Sequence, residues 1–311
     1  MRFLAIALWL AVALPAAAFP VKRCVNLSNF LEVEPDQGWT YNFERQHLQA
    51  IANAGFDTLR LPLRVGSYWQ GDRIDPRFAY LMTSVVEDAQ AAGLRVIIDL
   101  HHFDAFIADP ERRGDEFVAI WAALSAHFKG VTGLIFELLN EPTDVVSTEQ
   151  LLPFYARALE EIRVHHPDAW VVFGGAHWNH LDTLDSLPKP VDPKVVHTFH
   201  YYTPFEFTHQ QAPWLEDQLP RAHWGTTADL RVLSANFAKA AKHHTPLFLG
   251  EFGVYGAAPP KVRRAWLKAT RKAAEQHGIA WCHWGFAAGF GLFNPKLGTW
   301  DEDLLDSLLS P

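Results

Sequence analysis

Two glutamates, Glu141 and Glu251, each follow a short apolar run and have the chemistry to act as a pair. Residues 134–139 are apolar except for Glu137, and the run ends at Pro142. An apolar run of this length predicts a strand buried on both faces, as in a parallel sheet. Proline cannot donate to a strand ladder, so Glu141 is expected at the carboxyl end of that strand, where α/β folds build their sites.

Two carboxyl groups with different protonation states can cleave a glycosidic bond. One donates a proton to the leaving oxygen, and the other attacks the anomeric carbon or activates water. His200 is a candidate to tune the proton of Glu141, whereas Tyr202 and Arg60 could donate to Glu251 and keep it ionised. Either glutamate alone would be interpreted as a structural ion pair, but the two together favour catalysis.

The rest of the chain alternates between apolar runs and amphipathic segments. Gly55 and Gly93 follow two of these segments, as helix C-caps do. The predicted strands are 21–28, 58–62, 94–102, 134–142, 170–173, 195–202, 246–251 and 279–284. The predicted helices are 43–54, 76–92, 115–129, 149–166, 181–187, 228–243, 260–277 and 303–309. Eight such units predict an α/β fold, a single-domain (β/α)8 TIM barrel.

Polar residues recur at the carboxyl ends of these strands, where packing does not explain them. They are Arg60, His101, His102, Asn140, Glu141, His200, Tyr202 and Glu251, with Trp284 on the last strand. Alternate residues of a strand point to one side. We therefore expect Arg60 to pair with Asp99 or Glu137 inside the barrel and to lie near Glu251.

The charge and the N-terminal sequence indicate which partners and which cellular location to expect. The 311 residues carry a net charge of −8 without a basic run, so no nucleic-acid partner is expected. Arg2, the apolar residues 3–14 and an Ala-x-Ala site at 16–18 predict a signal peptide at 1–18, followed by a catalytic domain at 19–311. The protein is then exported, to the periplasm or beyond. No membrane partner is predicted, and a monomer is expected.

Cys24 and Cys282 lie in the first and last predicted strands. An exported domain with two cysteines can hold one disulfide, and closing the sheet would make these strands neighbours. A bridge between adjacent strands strains the ladder, however, so two buried thiols are the favoured interpretation.

Six motifs in chain order resemble glycoside hydrolase family 5 of clan A, the cellulase-like retaining enzymes. They are Gly55-Phe56 to Arg60-Leu61-Pro62, Asp99-Leu100-His101-His102, Phe136-Glu137-Leu138-Leu139-Asn140-Glu141-Pro142, His200-Tyr201-Tyr202, Gly250-Glu251-Phe252-Gly253 and Trp281 to Trp284. The first strand departs from the family, because Cys24 and Ser28 replace glycines of many cellulases.

The resemblance implies a role for each candidate residue. Glu141 would be the acid/base and Glu251 the nucleophile, with carboxyl groups about 5–5.5 Å apart. Asn140 would bind the sugar 2-hydroxyl. Arg60 and Tyr202 would position Glu251, and His200 would lie beside Glu141. His101, His102 and Trp284 would border the reacting sugar, with Trp284 as a stacking floor.

The leading hypothesis is a secreted endo-β-1,4-glucanase acting on a β-linked polysaccharide or oligosaccharide. A β-mannanase, a mixed-linkage glucanase or a xyloglucanase on the same site is the alternative. Loop tryptophans are either sugar platforms or packing anchors. They are Trp39, Trp69, Trp178, Trp214 and Trp224, of which Trp178 is a candidate substrate-binding residue.

Two other classes of function remain as distant alternatives. His101, His102, His197 and His200 with carboxylates invite a metal-dependent hydrolase. Adjacent histidines of a strand point to opposite faces, which argues against His101 and His102 sharing an ion. No cofactor or metal is therefore expected. A non-catalytic sugar-binding protein is the last alternative, and the presence of both Glu141 and Glu251 argues against it.

Overall fold

The computed structural model describes residues 18–37 and 43–310. Nearly all of the predicted signal peptide, as well as Trp39, lies outside this part of the chain. Eight parallel strands form a closed barrel in which each strand pairs with its neighbour in sequence and β1 pairs with β8. The predicted (β/α)8 fold is therefore confirmed.

The strands of the barrel are short and almost wholly buried, as expected when helices cover them. They are β1 (Arg23–Asn26), β2 (Thr58–Leu63), β3 (Arg95–Leu100), β4 (Leu134–Glu137), β5 (Trp170–Phe173), β6 (Val195–Tyr201), β7 (Leu247–Phe252) and β8 (Ala280–His283). A hairpin of β9 (Phe293–Asn294) and β10 (Thr299–Trp300), which was not predicted, follows the barrel.

The helices surround the barrel and enclose the larger apolar core. They are α1 (Arg45–Ala54), α2 (Pro76–Ala91), α3 (Asp104–Ala108), α4 (Pro110–His127), α5 (Thr148–His165), the single turn α6 (Ala176–Asn179), α7 (Phe205–Thr208), α8 (Thr227–Ala240), α9 (Pro260–Gln276) and α10 (Glu302–Leu309). None of the helices in the described ranges is both long and apolar enough to cross a lipid bilayer.

Two of the predicted helices differ in the structure. The helix expected at 115–129 begins at Pro110, where Asp109 caps it by accepting from the Arg112 amide at 3.2 Å. Aspartate followed by proline is a helix-start signal that the prediction overlooked. The segment expected as a helix at 181–187 is a 3-10 helix, Leu181–Ser186, which fits its short length before Pro188.

Cys24 and Cys282 form a disulfide, so the interpretation as two free thiols is wrong. The register of β1 and β8 places the two residues directly opposite each other. Both side chains are fully buried in a small apolar cluster inside the barrel. The bridge links the first strand to the last, where the barrel closes.

Candidate active site

Arg60, on β2, lies at the centre of the site and is fully buried. Its Nε donates to Glu137 at 2.7 Å, and its Nη1 donates to Glu251 at 2.8 Å. Its Nη2 lies 3.0 Å from Asp99. The predicted charge cluster is confirmed, and one guanidinium joins strands β2, β3, β4 and β7.

The cluster has more acids than bases. Burial alone would lower the pKa of Arg60, but Asp99, Glu137 and Glu251 together raise it well above its ordinary value, so Arg60 stays charged. Burial raises the pKa of Glu137 and brings that of Asp99 to about 7, although Arg60 opposes both shifts. A single cation cannot balance several buried carboxylates, so the site retains protons near neutral pH.

Asn140 and His101 form a polar network around the same arginine. The Asn140 Oδ1 accepts from Arg60 Nη2 at 2.8 Å, and its Nδ2 lies 3.4 Å from His101 Nε2. His101 Nδ1 lies 2.5 Å from Asp99 Oδ2. Burial lowers the pKa of His101 well below its usual value, so a neutral ring that donates to Asp99 and accepts from Asn140 satisfies every partner.

Glu141 reaches the site by a turn of the backbone, not by continuing the strand. The strand β4 ends at Glu137, and Glu141 has a left-handed φ of 40°. The prediction that the strand extends to Glu141 is wrong, and strand alternation cannot be applied beyond Glu137. The turn lets Asn140 and Glu141, which a strand would point to opposite faces, both line the cleft.

The carboxyl group of Glu141 contacts a side chain of strand β6. His200 Nδ1, on β6, lies 2.6 Å from Glu141 Oε1. Burial raises the pKa of Glu141 to about 7, with Arg60 opposing this and Glu137 adding to it. Burial also lowers the pKa of His200 to about 4, so its imidazole is neutral at pH 7.

Glu251, on β7, has a different set of partners. Tyr202 Oη donates to its Oε2 at 2.9 Å, and Arg60 donates to its Oε1. Burial raises the pKa of Glu251 to about 7; Glu141 also raises it, while His200, Arg60 and Tyr202 lower it. An oxygen of Glu251 lies within 4.8 Å of an oxygen of Glu141 and of a ring nitrogen of His200.

The two carboxyl groups face an open cleft of about 1240 Å³ at the carboxyl end of the barrel. His101, His102 and Trp284 all line it, and the rings of His101 and Trp284 stack with centroids 5.3 Å apart. The prediction that His101 and His102 point to opposite faces is wrong, because β3 ends at Leu100 and both histidines lie beyond it.

The loop tryptophans divide into two groups. Trp178 and Trp214 line the cleft and are 47% and 54% exposed, as sugar platforms would be. Trp69 packs against the apolar core, and Trp224 is buried beside Phe207. These two are packing anchors.

Two asparagines that were not predicted as site residues contact Arg60 and Glu141. Asn26 accepts from Arg60 at 2.8 Å and donates to the carbonyls of Gly250 and His283. Asn179 is fully buried; with its Nδ2 facing the Gly175 carbonyl, its Oδ1 accepts from the Glu141 amide at 3.3 Å. An asparagine inside an apolar strand was the available signal for Asn26, whereas Asn179 had none.

The geometry agrees with the family comparison. The model for the cellulase family, glycosyl hydrolase family 5, matches residues 20–289. The chain belongs to glycosyl hydrolase family 5. The match includes every strand of the barrel and both glutamates at the centre of the cleft.

Similar proteins come from several bacteria. Endoglucanase H of Acetivibrio thermocellus is 30% identical over 92% of this chain, which spans only 32% of that protein. The cellulose synthase subunit Z of Clostridioides difficile has 33% identity and a TM-score of 0.90, covering 93% of this chain and 100% of its own. Cel5A of Thermotoga maritima with mannotriose has 29% identity and a TM-score of 0.88, covering 93% and 97%.

Proposed function

We propose that this protein is a retaining endo-β-1,4-glucanase, with Glu141 as the acid/base and Glu251 as the nucleophile. The observation that carries the proposal is the approach of their oxygens to within 4.8 Å. Retaining glycosidases have carboxyl groups about 5–5.5 Å apart, whereas inverting enzymes need about 6.5–9.5 Å to admit a water molecule.

Hydrogen bonds assign the two roles. Glu251 accepts from Arg60 and from Tyr202, and both donors favour its ionised form. Burial raises the pKa of Tyr202 well above its usual value, so the phenol keeps its proton. Glu141 contacts neutral His200 and no cation as directly, so the proton that the buried pair retains belongs on Glu141.

The reaction then proceeds in two displacements. In the first, a Glu251 oxygen bonds to the anomeric carbon while the bond to the leaving oxygen breaks, and Glu141 gives its proton to that oxygen. In the second, Glu141 takes a proton from water, the water oxygen bonds to the anomeric carbon, and the Glu251–sugar bond breaks. Both glutamates return to their first states, and the product keeps the β configuration.

The cleft suits a chain of sugars. Its volume of about 1240 Å³ exceeds the range of about 300–1000 Å³ typical of small-ligand pockets. Exposed Trp178 and Trp214 offer flat apolar faces, and Asn140 is positioned beside the catalytic pair to bind a 2-hydroxyl. The relative named endoglucanase H supports a glucan as the preferred substrate.

A β-mannanase is the second candidate, because a similar family member, Cel5A of Thermotoga maritima, has been crystallised with mannotriose. A reducing-sugar assay across carboxymethylcellulose, barley β-glucan, xyloglucan and mannan separates the candidates. The highest kcat/KM is expected on a β-1,4-glucan. A preference for mannan of tenfold or more would replace the glucanase assignment.

Azide rescue tests the assigned roles. Glu251→Ala should lower kcat by at least about a thousandfold, because removing one residue of a catalytic unit costs about as much as removing all of them. With an activated aryl β-glycoside and azide it should yield the α-glycosyl azide, whereas Glu141→Ala should yield the β-glycosyl azide. Exposed Glu206 provides the matched control, Glu206→Ala, with unchanged turnover. Exchanged anomers would reverse the roles, and activity abolished by chelation would favour a metal-dependent hydrolase.

We also propose that the chain is exported after removal of residues 1–18. The N-terminal sequence supports this, as does the buried Cys24–Cys282 bridge, because disulfides persist in oxidising compartments. Mass spectrometry of the protein from the periplasm and medium should find Phe19 as the first residue. An intact N-terminus on cytoplasmic protein would contradict the proposal.

A further inference from the structure

A cluster of three histidines lies on the opposite side of β6 from the barrel interior. His197 is the third residue of β6, next to Val196 of the inner apolar cluster. His243 and His244 lie in the loop between α8 and β7. Loops that lead from helix to strand lie at the amino end of the barrel, so this cluster is remote from the catalytic cleft.

The three rings are close enough to share one ion. One ring nitrogen from each histidine lies within 4.8 Å of the other two, and His197 Nδ1 lies 2.7 Å from His243 Nε2. Tetrahedral zinc with nitrogen ligands at 2.0–2.1 Å requires nitrogens about 3.3 Å apart. A movement of about half an ångström by His243, in its loop, separates the rings enough to admit the ion.

The chemistry of the rings favours a metal. Imidazole is the commonest metal ligand among side chains, and three imidazoles converge here. His197 is fully buried, so it would hold an ion from the inner side of the cluster. His244 is exposed, which gives an ion a route from solvent.

The surroundings supply space and a nearby carboxylate. A cavity of about 140 Å³ is lined by His243, His244 and Asp185, and also by Lys239 and the exposed Lys242. The charge of Lys239 is offset by Asp182 at 2.7 Å and by Asp185 at 3.9 Å. A water molecule can complete a four-coordinate sphere.

We propose that His197, His243 and His244 form a structural site for an imidazole-preferring divalent cation, with Zn²⁺ as the probe ion. The ion would take the place of the proton between His197 and His243, which moves to the other nitrogen of the ring that donates it, and would tie β6 to the loop before β7. Three imidazoles with water as the fourth ligand suit zinc, and the site takes no part in glycoside cleavage.

Zinc titration of the mature, chelator-treated enzyme tests the site. Calorimetry should show one ion bound with a dissociation constant below about 10 μM, and Tm should rise with zinc. His244→Ala and His243→Ala should each weaken binding at least tenfold and abolish the rise in Tm. His223→Ala, which removes an exposed histidine elsewhere, should bind zinc as the wild type does. Cobalt at the wild-type site should give the visible absorption of a four-coordinate ion.

Zinc could instead occupy the catalytic trio of Glu141, His200 and Glu251, whose ligand atoms also lie within 4.8 Å of one another. Glu251→Gln separates the two sites. The proposal requires that Glu251→Gln keep wild-type zinc affinity. Binding that survives His244→Ala but disappears in Glu251→Gln would overturn it, as would the absence of binding to the wild type. Circular dichroism of each variant verifies that a loss of binding is not a loss of fold.

Discussion

Replacing Tyr202 with phenylalanine should move the acid limb of the pH–rate profile. The phenol donates to Glu251 at 2.9 Å, and this hydrogen bond lowers the pKa of Glu251. A hydrogen bond to a charged group stabilises it by about 1.5–3 kcal/mol, and one pKa unit corresponds to about 1.4 kcal/mol. Loss of the phenol should therefore raise the pKa of Glu251 by about 1–2 units.

Glu251, as the proposed nucleophile, must be ionised, so a higher pKa of Glu251 lowers activity on the acid side of the profile. Below the acid limb, kcat/KM of Tyr202→Phe should fall by about 10–100-fold. The maximal kcat/KM of the profile should fall too, because the interval between the pKa values of Glu251 and Glu141 narrows. The measurement is kcat/KM on a soluble aryl cellobioside from pH 4 to 9. Tyr201→Phe is the matched control, since Tyr201 Oη accepts from Asn236 and not from the catalytic pair. An acid limb that does not move in Tyr202→Phe would refute the reasoning.

Two predictions concern stability. Arg60→Met leaves buried carboxylates without their cation and should cost about 3–5 kcal/mol by urea unfolding at pH 7. The raised pKa values of these carboxylates mean that the loss of stability shrinks as pH falls toward 4. The control, exposed Arg45→Met, should cost less than about 1 kcal/mol at any pH. A loss of stability in Arg60→Met that does not change with pH would contradict the charge argument. Replacing both Cys24 and Cys282 with alanine removes a bridge across 258 residues and should cost about 2–5 kcal/mol, with activity at 25 °C retained. Equal unfolding midpoints for the wild type and this variant would refute a stabilising bridge.

The order of strands and helices was predictable because buried strands have a distinctly apolar composition. Strands covered by helices on one side and a packed interior on the other are apolar throughout, and each was followed by a segment with helical spacing. The strand at 170–173 was predicted to the residue, since Gly174 ends it. Helix starts were predicted less well where the capping pair Asp109 and Pro110 was overlooked.

The details of the site depend on register and on backbone turns, which local sequence does not specify. The alternation that placed Arg60 beside Glu137 holds inside the strands and fails one turn later, at Glu141. The Cys24–Cys282 bridge follows from the register of two strands far apart in sequence. Propensities could predict that these strands exist but not which residues lie opposite each other.

The chemical difference between the two glutamates follows from their donors. Burial raises the pKa of each to about 7, with Glu137 adding to the rise at Glu141 and Glu141 adding to the rise at Glu251. Two such carboxyl groups hold about one proton between them, and its position is set by which anion is better solvated by the protein. Glu251 has the guanidinium of Arg60 and the phenol of Tyr202, whereas Glu141 has a neutral imidazole, so the proton rests on Glu141. The proposed acid and nucleophile are therefore distinguished by residues on β2 and just after β6, and changes in those residues should redistribute the proton without moving either glutamate.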